Sequence, residues 1–396
     1  MEPSVESAIF SSSSHNNRFR YLSFNLLKNT FLKTNGCHPR IRKPVPIGIV
    51  GLNFGQHLID HLSAPENSRY FKVAAVCDQV HAKAQAVGDR LGVKSYADLD
   101  HLLADGEIPV VGLFTGPVGR AALLKRIFRA GKDVMTTKPF EADPVRAEEA
   151  LEEACRLKRV VHLNSPTAEH AHDLAQIARW REDYDLGRPI GARGDVWVSY
   201  REKADGSWYD DPKLCPVAPI FRLGIYLIND LVAMFGAADE VQILQSRVFT
   251  ERPTPDNAQL GIRFKNGALA NVFASFCVED SLPYRNSLTI NFERGTIFRN
   301  TGVPGPDSSS VMELTLVRHG RTGKRLVKRK NVPLGSGFYQ WPQFLRALRQ
   351  RESPSPAFIR DTVAGLRIID AMKRADQTAS VVKVDNDAFV RAARAA

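Results

Sequence analysis

Short apolar segments alternate with helix-like segments from residue 45 onward, and this alternation limits the possible fold more than any other feature of the sequence. The apolar segments have the length and composition of buried strands, and they are residues 47–50, 72–77, 93–96, 110–114, 134–136 and 160–163. The segments between them have the pattern of helices, and they are residues 56–62, 82–91, 97–103, 119–130 and 144–158. This alternation predicts repeated βαβ units and therefore an α/β domain with a doubly wound parallel sheet of about six strands.

The second half of the chain has a different pattern, in which strand candidates follow one another with few helices between them. Many of them are rich in β-branched residues and end at turns such as Asn266-Gly267. The candidates are residues 194–200, 241–248, 258–264, 268–276, 287–292, 296–299 and 311–317. This run of strands predicts a C-terminal α+β domain. We therefore expect an extension (residues 1–43), a first domain (residues 44–164) and a second domain (residues 165–396).

The first 43 residues have a composition unlike that of a globular core. A polar run at residues 11–17 is followed by apolar residues mixed with basic ones, and no acidic residue follows Glu6 within this segment. Pro44 and Pro46 mark its end. We expect a flexible extension on a cytoplasmic protein, and the alternative is an organellar targeting segment.

The cysteines and the hydropathy exclude several classes of protein. The chain has five cysteines at widely spaced positions and no C-x-x-C pair, which argues against a disulfide framework or a zinc ribbon. We therefore expect reduced thiols and no metal site. No apolar run is long enough to span a bilayer, so we expect a soluble protein without a membrane partner.

The net charge of +11 is concentrated in two segments. Residues 1–43 hold seven basic residues against two acidic ones, and residues 318–330 hold seven basic residues and no acidic one. The rest of the chain is close to neutral. Because no stacking aromatic residues interleave the second cluster, we interpret it as a solvated strand pair or loop and expect no nucleic-acid partner.

A glycine turn follows the first predicted strand, with the sequence Gly51-Leu52-Asn53-Phe54-Gly55. The dinucleotide-binding fingerprint G-x-G-x-x-G would place glycines at positions 51, 53 and 56, and only the first matches. Asn tolerates left-handed backbone angles, so Asn53 can keep the turn. The turn therefore indicates a dinucleotide site, and a turn between strand and helix without a ligand is the alternative.

Asp78 directly follows the second predicted strand. A carboxylate at this position accepts hydrogen bonds from the ribose hydroxyls of the adenosine and repels a 2′-phosphate, which favours NAD over NADP. His81 and Lys83 lie close by in the sequence, so NADP stays an alternative cofactor. An alternative role for Asp78 is to cap a helix, although residues 79–81 delay the next helix.

Lys138 follows the fifth predicted strand and directly precedes Pro139. The strand ends of a doubly wound sheet meet at the edge where a dinucleotide binds. The sequence therefore places a lysine beside the expected cofactor, where it could act in catalysis.

These segments together resemble one known family. The resemblance is carried by Gly48-Ile49-Val50-Gly51, Val76-Cys77-Asp78, Tyr96-Ala97-Asp98-Leu99, Thr115-Gly116-Pro117, Ala130-Gly131-Lys132-Asp133-Val134 and Lys138-Pro139. It continues through Leu186-Gly187-Arg188-Pro189-Ile190-Gly191 and Phe264-Lys265-Asn266-Gly267-Ala268 to a closing helix around residues 358–374. The chain is similar to the glucose-fructose oxidoreductase, inositol dehydrogenase and rhizopine-catabolism (Gfo/Idh/MocA) family over nearly everything after residue 45.

The resemblance implies an N-terminal Rossmann domain that binds NAD, or alternatively NADP. The cofactor-binding residues would be Gly51, Asn53, Phe54, Gly55, Asp78, Thr115, Gly116 and Lys138. It also implies a second domain with a large, open, mostly antiparallel sheet. One face of that sheet would help to close the active site, and the other would form a homodimer or homotetramer.

The resemblance further implies a catalytic pair. Many relatives have Asp, Gly, His and Asp at the positions of Arg222, Gly224, Tyr226 and Asn229. Tyr226 can replace the histidine as a proton relay, so Lys138 and Tyr226 are the expected acid/base pair. An ammonium beside the phenol would lower its pKa, and the phenolate would take a hydroxyl proton as hydride leaves the carbon.

Four polar residues at positions that the family uses are the expected substrate-binding residues: Arg120, Asn164, Arg222 and Asn229. Arg120 stands where relatives often have histidine, and both arginines could bind an acidic group of a uronic or aldonic acid. The alternative for Arg222 is an ion pair with an acid of its own domain. Asn164 could also be a turn residue at a strand end.

The resemblance implies an NAD(P)-dependent oxidoreductase that transfers hydride between the nicotinamide and a secondary alcohol of a sugar, polyol or sugar acid. Two alternatives stay open. The first is an NAD-dependent glycoside hydrolase of the same fold, and the second is a nucleotide-binding regulator without catalytic activity.

Overall fold

A computed structural model of the chain describes residues 43–280, 282, 284–304, 311–320, 323–334 and 337–386. The predicted N-terminal extension lies outside these residues, except for Lys43.

The first part of the described chain forms a six-stranded parallel sheet. Its strands are β1 (Val45–Val50), β2 (Phe71–Cys77), β3 (Lys94–Tyr96), β4 (Val110–Leu113), β5 (Asp133–Thr136) and β6 (Val161–Leu163). They are arranged in the order β3-β2-β1-β4-β5-β6, and every neighbouring pair is parallel. The predicted doubly wound sheet is therefore confirmed. Its strand order reverses between β1 and β4, which is where such sheets bind ligands.

Helices connect these strands and lie on both faces of the sheet. They are α1 (Leu52–Ser63), α2 (His81–Leu91), α3 (Leu99–Ala104), α4 (Arg120–Arg129) and α5 (Pro144–Arg156). Residues of α1 and α2 share a core with Ile47 and Ile49, whereas residues of α4 and α5 share a core with Val50 and Val111. Successive strand residues point to opposite faces, so these two cores lie on the two sides of the sheet.

The second sheet has nine strands. They are β7 (Pro189–Trp197), β8 (Ala238–Ser246), β9 (Asn257–Phe264), β10 (Leu269–Ser275), β11 (Arg285–Phe292), β12 (Gly295–Arg299), β13 (Val311–His319), β14 (Arg325–Pro333) and β15 (Val382–Lys383). Their order is β14-β13-β12-β11-β7-β10-β9-β8-β15, and β7 and β10 form the one parallel pair among these described strands. The predicted large, mostly antiparallel sheet is confirmed. The second half of the basic segment 318–330 forms the edge strand β14.

The remaining helices are α6 (His172–Asp183), α7 (Ile225–Phe235), α8 (Trp341–Gln350) and α9 (Pro356–Thr378). Helices α6, α7 and α9 pack against one face of the nine-stranded sheet. Burial alternates along β7, where Ala192 and Val196 are buried, Arg193 is exposed and Trp197 is half-buried. The second face of this sheet, which we call the open face, thus keeps exposed and half-buried side chains. No described helix is both long and apolar enough to cross a membrane.

Helix α8 follows the second sheet in sequence but packs on the first. Trp341 and Phe344 lie against Phe71 of β2, with ring centroids 5.4 Å and 5.3 Å apart. The indole Nε1 of Trp341 donates to Nδ1 of His61 in α1 over 3.0 Å. The chain between β14 and α8 therefore returns to the first sheet and passes the edge at which a cofactor would bind.

Candidate active site

The glycine turn joins β1 to α1 and can accept only glycine at its first position. Gly51 has a φ of 86°, and a Cβ atom there would lie 2.9 Å from the carbonyl carbon and oxygen of Phe114. A Cβ on Gly55 would lie 2.9 Å from the Ile49 side chain, so this glycine allows α1 to pack closely on β1. Although the fingerprint is incomplete, the turn keeps its two functional properties, a left-handed first residue and close packing of helix on strand.

Asp78 and Lys83 lie beside this turn. The Asp78 carboxylate accepts hydrogen bonds from the backbone N–H groups of Leu52 at 2.8 Å and Val80 at 3.0 Å. Nζ of Lys83 donates to Oδ1 of the exposed Asn53. One carboxylate and one ammonium therefore stand at the position where the adenosine ribose of a dinucleotide is expected.

The Thr115 turn, residues 115–119, follows the end of β4 on the other side of the switch point. The Thr115 hydroxyl donates to the carbonyl oxygen of Gly116 over 3.3 Å. Trp208 approaches this turn from the second domain, because a Cβ on Gly116 would lie 3.5 Å from the indole Nε1. The ring of Trp208 also contacts that of Tyr209, with centroids 4.2 Å apart. A bulky side chain in place of Gly116 would therefore displace the indole.

Lys138 lies in the loop after β5, which we call the Lys138 loop (residues 137–141). Its Nζ donates to the carbonyl oxygen of Arg222 and lies 4.5 Å from the centroid of the Tyr226 ring. Burial and the positive charges of Arg222 and Arg120 lower the pKa of Lys138 to about 7. The side chain therefore changes between ammonium and neutral amine near neutral pH, which suits a group that exchanges a proton with a substrate.

Asn164, directly after β6, connects the two predicted catalytic residues. Its Oδ1 accepts a hydrogen bond from the backbone N–H of Lys138 at 3.1 Å, and its Nδ2 lies 3.3 Å from the hydroxyl of Tyr226. The same Nδ2 lies 3.3 Å from the carbonyl oxygen of Gly337, whose N–H donates to the Asn164 carbonyl over 3.0 Å. Residues from three distant segments therefore meet at this side chain, and Asn164 is more than a turn residue.

Arg222 forms an ion pair with an acid of its own domain, which is the alternative left open above. Its two terminal nitrogens lie 2.5 Å and 2.8 Å from the carboxylate oxygens of Glu202. Both side chains are more than nine-tenths buried, and the guanidinium stacks 3.9 Å from the Tyr209 ring centroid. Arg222 lies in the π-helical turn Ile220–Gly224 that precedes α7. Because its donors and its charge are used by Glu202, Arg222 offers little to an acidic substrate.

Arg120 also has a different role from the predicted substrate contact. It is 1% exposed, and its terminal nitrogens donate to backbone carbonyl oxygens of the Thr115 turn and the Lys138 loop. Burial lowers the pKa of this guanidinium to about 10. The prediction followed the histidine that relatives carry here, and the longer arginine side chain instead turns into the protein.

Asn229 does not line the site either. Its Nδ2 donates to the Ser165 hydroxyl over 3.0 Å, and its Oδ1 lies where a Cβ on Gly365 of α9 would clash, at 2.3 Å. The side chain is 5% exposed and lies in the contact between α7 and α9. These contacts place the Asn229 side chain in helix packing, and its role as a substrate ligand stays a prediction.

Several residues of the site were missed in the sequence, among them Glu141, Glu202 and Gly337. Glu141 follows Lys138-Pro139-Phe140, and an acid so close to the lysine is a signal that could have been followed. Glu202 and Gly337 lie in segments without a recognisable motif, so no sequence signal pointed to them. Within the described residues, no group of three or more His, Cys, Asp or Glu side chains is placed to hold a metal ion.

Comparisons with known proteins agree with this geometry. Residues 45–165 match the model of the GFO/IDH/MocA oxidoreductase family, described as having an NAD-binding Rossmann fold, and residues 174–298 match the GFO/IDH/MocA C-terminal domain. An uncharacterized oxidoreductase of Synechocystis sp. is 26% identical over 231 residues, which cover 54% of this chain and 58% of that protein. The chain spans about half the length of the curated relatives it matches, between 38% and 58%.

Solved structures share the fold at low sequence identity. An oxidoreductase from Desulfitobacterium hafniense has a TM-score of 0.70 and 14% identity, with coverage of 87% of this chain and 98% of that one. Levoglucosan dehydrogenase in its apo form has a TM-score of 0.66 and 17% identity, with coverage of 87% and 100%. The same dehydrogenase is also known in complex with NADH. The first domain is thus an NAD-binding Rossmann domain, as predicted, and its glycine turn and Asp78 fit such a cofactor.

Proposed function

Because the chain belongs to the GFO/IDH/MocA oxidoreductase family, we propose that it oxidises a secondary alcohol of a sugar or polyol to a ketone, or reduces such a ketone, with a nicotinamide cofactor. The contact of Lys138, Asn164 and Tyr226 carries this proposal. These side chains meet at the carboxyl ends of β5 and β6, beside the switch point where the nicotinamide cofactor is expected. They combine a titrating amine, an amide and a phenol, which can together bind a hydroxyl group and exchange its proton.

The roles of the three residues follow from their contacts. Lys138, with its pKa lowered to about 7, accepts the proton of the substrate hydroxyl as a neutral amine and returns it in the reverse reaction. Asn164 fixes the backbone of Lys138 and the hydroxyl of Tyr226, so that the two groups stay at a constant distance. The Tyr226 phenol then orients the substrate oxygen between itself and the amine. The nicotinamide cofactor, when bound, accepts or supplies the hydride.

Asp78 and Lys83 define the proposed cofactor preference. The carboxylate favours a free ribose 2′-hydroxyl, so we propose NAD as the main cofactor. Lys83 stands close enough to the glycine turn to bond Asn53, and its ammonium could instead meet a 2′-phosphate. NADP is therefore the second cofactor to compare in binding measurements.

The charges around the site favour a neutral substrate. Arg222 is neutralised by Glu202, and Arg120 is buried among backbone carbonyl groups, so neither guanidinium is available to a carboxylate group of the substrate. We therefore propose a neutral sugar or polyol rather than the uronic or aldonic acid that the sequence suggested. Trp208 and Tyr209 supply aromatic surface beside the Thr115 turn, which suits the apolar face of a sugar ring.

The test is a screen of cofactor reduction by the purified protein over neutral sugars, polyols and sugar acids. Oxidation of at least one neutral substrate is expected, and Lys138→Met should lower kcat by about 100-fold or more, the effect of losing a general base. Tyr226→Phe should raise KM more than it lowers kcat. A preference for sugar acids that Arg222→Met abolishes would refute the neutral-substrate proposal.

The same screen separates the alternatives. Tight NADH binding without turnover on any substrate, and without any effect of Lys138→Met, would favour a regulator. Release of an aglycone from a glycoside, with catalytic rather than stoichiometric NAD, would favour the glycoside hydrolase.

We also propose that the open face of the nine-stranded sheet forms a homodimer or homotetramer. Trp197 and Phe273 are half-buried on this face, and Leu244 and Leu269 are 75% and 60% exposed. Exposed apolar side chains on a broad sheet are typical of a surface that a second copy of the chain covers.

A further inference from the structure

We propose that Arg120 is a positioning residue that fixes the Thr115 turn to the Lys138 loop, and so holds that side of the expected cofactor site at a set distance from the lysine. The inference rests on the proposed function, since it assigns Arg120 to the same site. The hydrogen bonds of its two terminal nitrogens link the Thr115 turn to the Lys138 loop, and we call this link the joint. Nη2 donates to the carbonyl oxygen of Thr115, and Nη1 donates to those of Thr137, Pro139 and Phe140.

These hydrogen bonds are made by a buried, charged group, the guanidinium of Arg120. A guanidinium that is 1% exposed is costly to bury unless its donors are satisfied. Here backbone oxygens of both loops accept from the terminal nitrogens, whereas Nε has no hydrogen-bond partner among the described residues. The planar fork carries two nitrogens that point in different directions, so one side chain can bond two loops at once. A lysine carries its three donors on a single nitrogen, so it could bond both loops only if their carbonyl oxygens lay around that one atom. The joint therefore depends on the shape of arginine as well as on its charge.

Glu141 forms the second half of the joint. Its Oε2 accepts from the N–H of Ala121 at 2.6 Å, and its Oε1 accepts from those of Gly119 at 3.2 Å and Ala142 at 2.7 Å. These bonds tie the first turn of α4, which carries Arg120, to the end of the Lys138 loop. The carboxylate also stands at the positive end of the helix dipole. Arg120 thus reaches from the start of α4 to the Lys138 loop, and the oppositely charged Glu141 reaches from the Lys138 loop to the start of α4.

The joint also contributes to the electrostatic environment of Lys138, after burial and the charge of Arg222. The groups that face its amine are the charges of Arg222 and Arg120, the thiol of Cys215 and the ring of Tyr226. Burial and the two arginine charges favour the neutral amine. Glu202 neutralises the Arg222 charge, whereas Arg120 bonds only carbonyl oxygens through its terminal nitrogens. Loss of the Arg120 charge should therefore raise the pH at which Lys138 loses its proton.

The experiment uses the full chain and two readouts that need no substrate, so that it remains informative even if no sugar is oxidised. The first readout is the Kd for NADH, measured by fluorescence. The second is the pH dependence of acylation at Lys138, measured with a small amine-reactive reagent and peptide mass spectrometry. The variants are Arg120→Gln, Arg120→Lys and Glu141→Gln. The control is Arg367→Gln, because Arg367 of α9 is 4% exposed and pairs with Glu148 of α5 rather than with the Thr115 turn or the Lys138 loop.

Arg120→Gln should weaken NADH binding about tenfold and raise the acylation midpoint by about half a pH unit or more. Arg120→Lys keeps the charge, so it should restore the midpoint while NADH binding stays weakened. Glu141→Gln should weaken NADH binding without raising the midpoint. Arg367→Gln should lower Tm and change neither readout.

Unchanged NADH affinity and an unchanged midpoint in a folded Arg120→Gln would overturn the proposal. If neither Arg120 variant folds, Glu141→Gln becomes the test of the proposal. An unchanged NADH affinity in that variant would show that the joint does not position the Thr115 turn. A failure of the proposed function has a different signature, in which no substrate is turned over while both readouts respond as described.

Discussion

Replacing Glu202 by glutamine should destabilise the protein strongly, because it leaves two buried guanidinium groups without their shared carboxylate. Glu202 binds Arg222 through both oxygens and also accepts from Nε of Arg252 at 3.1 Å. The side chains of these three residues are 9%, 8% and 3% exposed. Breaking a buried ion pair by removing one partner costs about 3–5 kcal/mol. Arg252 keeps Asp205 and Asp210, so we expect a value near the lower end, about 3 kcal/mol.

Thermal unfolding followed by circular dichroism measures this loss. For a domain of this size, about 3 kcal/mol corresponds to a fall in Tm of roughly 6–12 °C. Glu293→Gln is the matched control, since Glu293 pairs with Arg188 at a similar distance of 2.7 Å while the Arg188 side chain is 82% exposed. That variant should lose less than about 1 kcal/mol.

A double variant tests whether the lost stability comes from the unpaired charge. Glu202→Gln combined with Arg222→Met should be more stable than the sum of the single losses predicts, by about 1–3 kcal/mol, because the two residues are in direct contact. Equal losses for Glu202→Gln and Glu293→Gln, or strict additivity in the double variant, would refute the argument from burial.

Other predictions follow from the same contacts. The rate of alcohol oxidation should rise as pH increases through about 7, since the lowered pKa of Lys138 makes the amine neutral above that pH, and the rise should be lost in Lys138→Met when kcat is measured between pH 5 and 9. Gly51→Ala should reduce NADH affinity by at least about tenfold in fluorescence titrations, because its Cβ meets the Phe114 carbonyl group and its φ of 86° is unfavourable for alanine. Phe273→Glu on the open face should convert the proposed oligomer to a monomer in light-scattering measurements, and an unchanged mass would refute that interface.

The strands and helices of the first domain could be predicted because the information that indicates them is local. Each buried strand is a short apolar run, and each helix between two strands has its own periodicity. Strands such as β1 and β4 could therefore be recognised from their own sequence, without knowing which strands lie beside them. Asp78 and Lys138 were found for the same reason, since their positions directly after strands place them at one edge of the sheet. The open antiparallel sheet was inferred mainly from family resemblance, and the structure confirms it.

The partners of the two arginines could not be predicted because they depend on contacts between distant segments. Glu202 lies 20 residues before Arg222 on a segment without a motif, and no periodicity indicates that the two meet. Gly337 reaches Asn164 across 173 positions, because the chain returns from β14 toward the first sheet to place α8. The role of Arg120 was misjudged for another reason. The family resemblance indicates where the backbone of a residue lies, but the length of its side chain determines where the charged end lies.

The lowered pKa of Lys138 supports a proposed mechanism in which the proton-transfer roles differ from those that the sequence suggested. The predicted mechanism required the Lys138 ammonium to stand beside the Tyr226 hydroxyl and lower its pKa. In the structure, Nζ of Lys138 lies 4.5 Å from the centroid of the Tyr226 ring, and the Tyr226 hydroxyl lies 3.3 Å from the Asn164 amide nitrogen. An amine beside two arginine charges in a buried position is deprotonated more readily than one in water, so in the proposed mechanism the lysine is the base and no phenolate is required. In that mechanism the charges of Arg222 and Arg120, which stand where relatives often have aspartate and histidine, favour the neutral form of the lysine. Acid/base chemistry near neutral pH would then depend on the lysine and not on those two family residues.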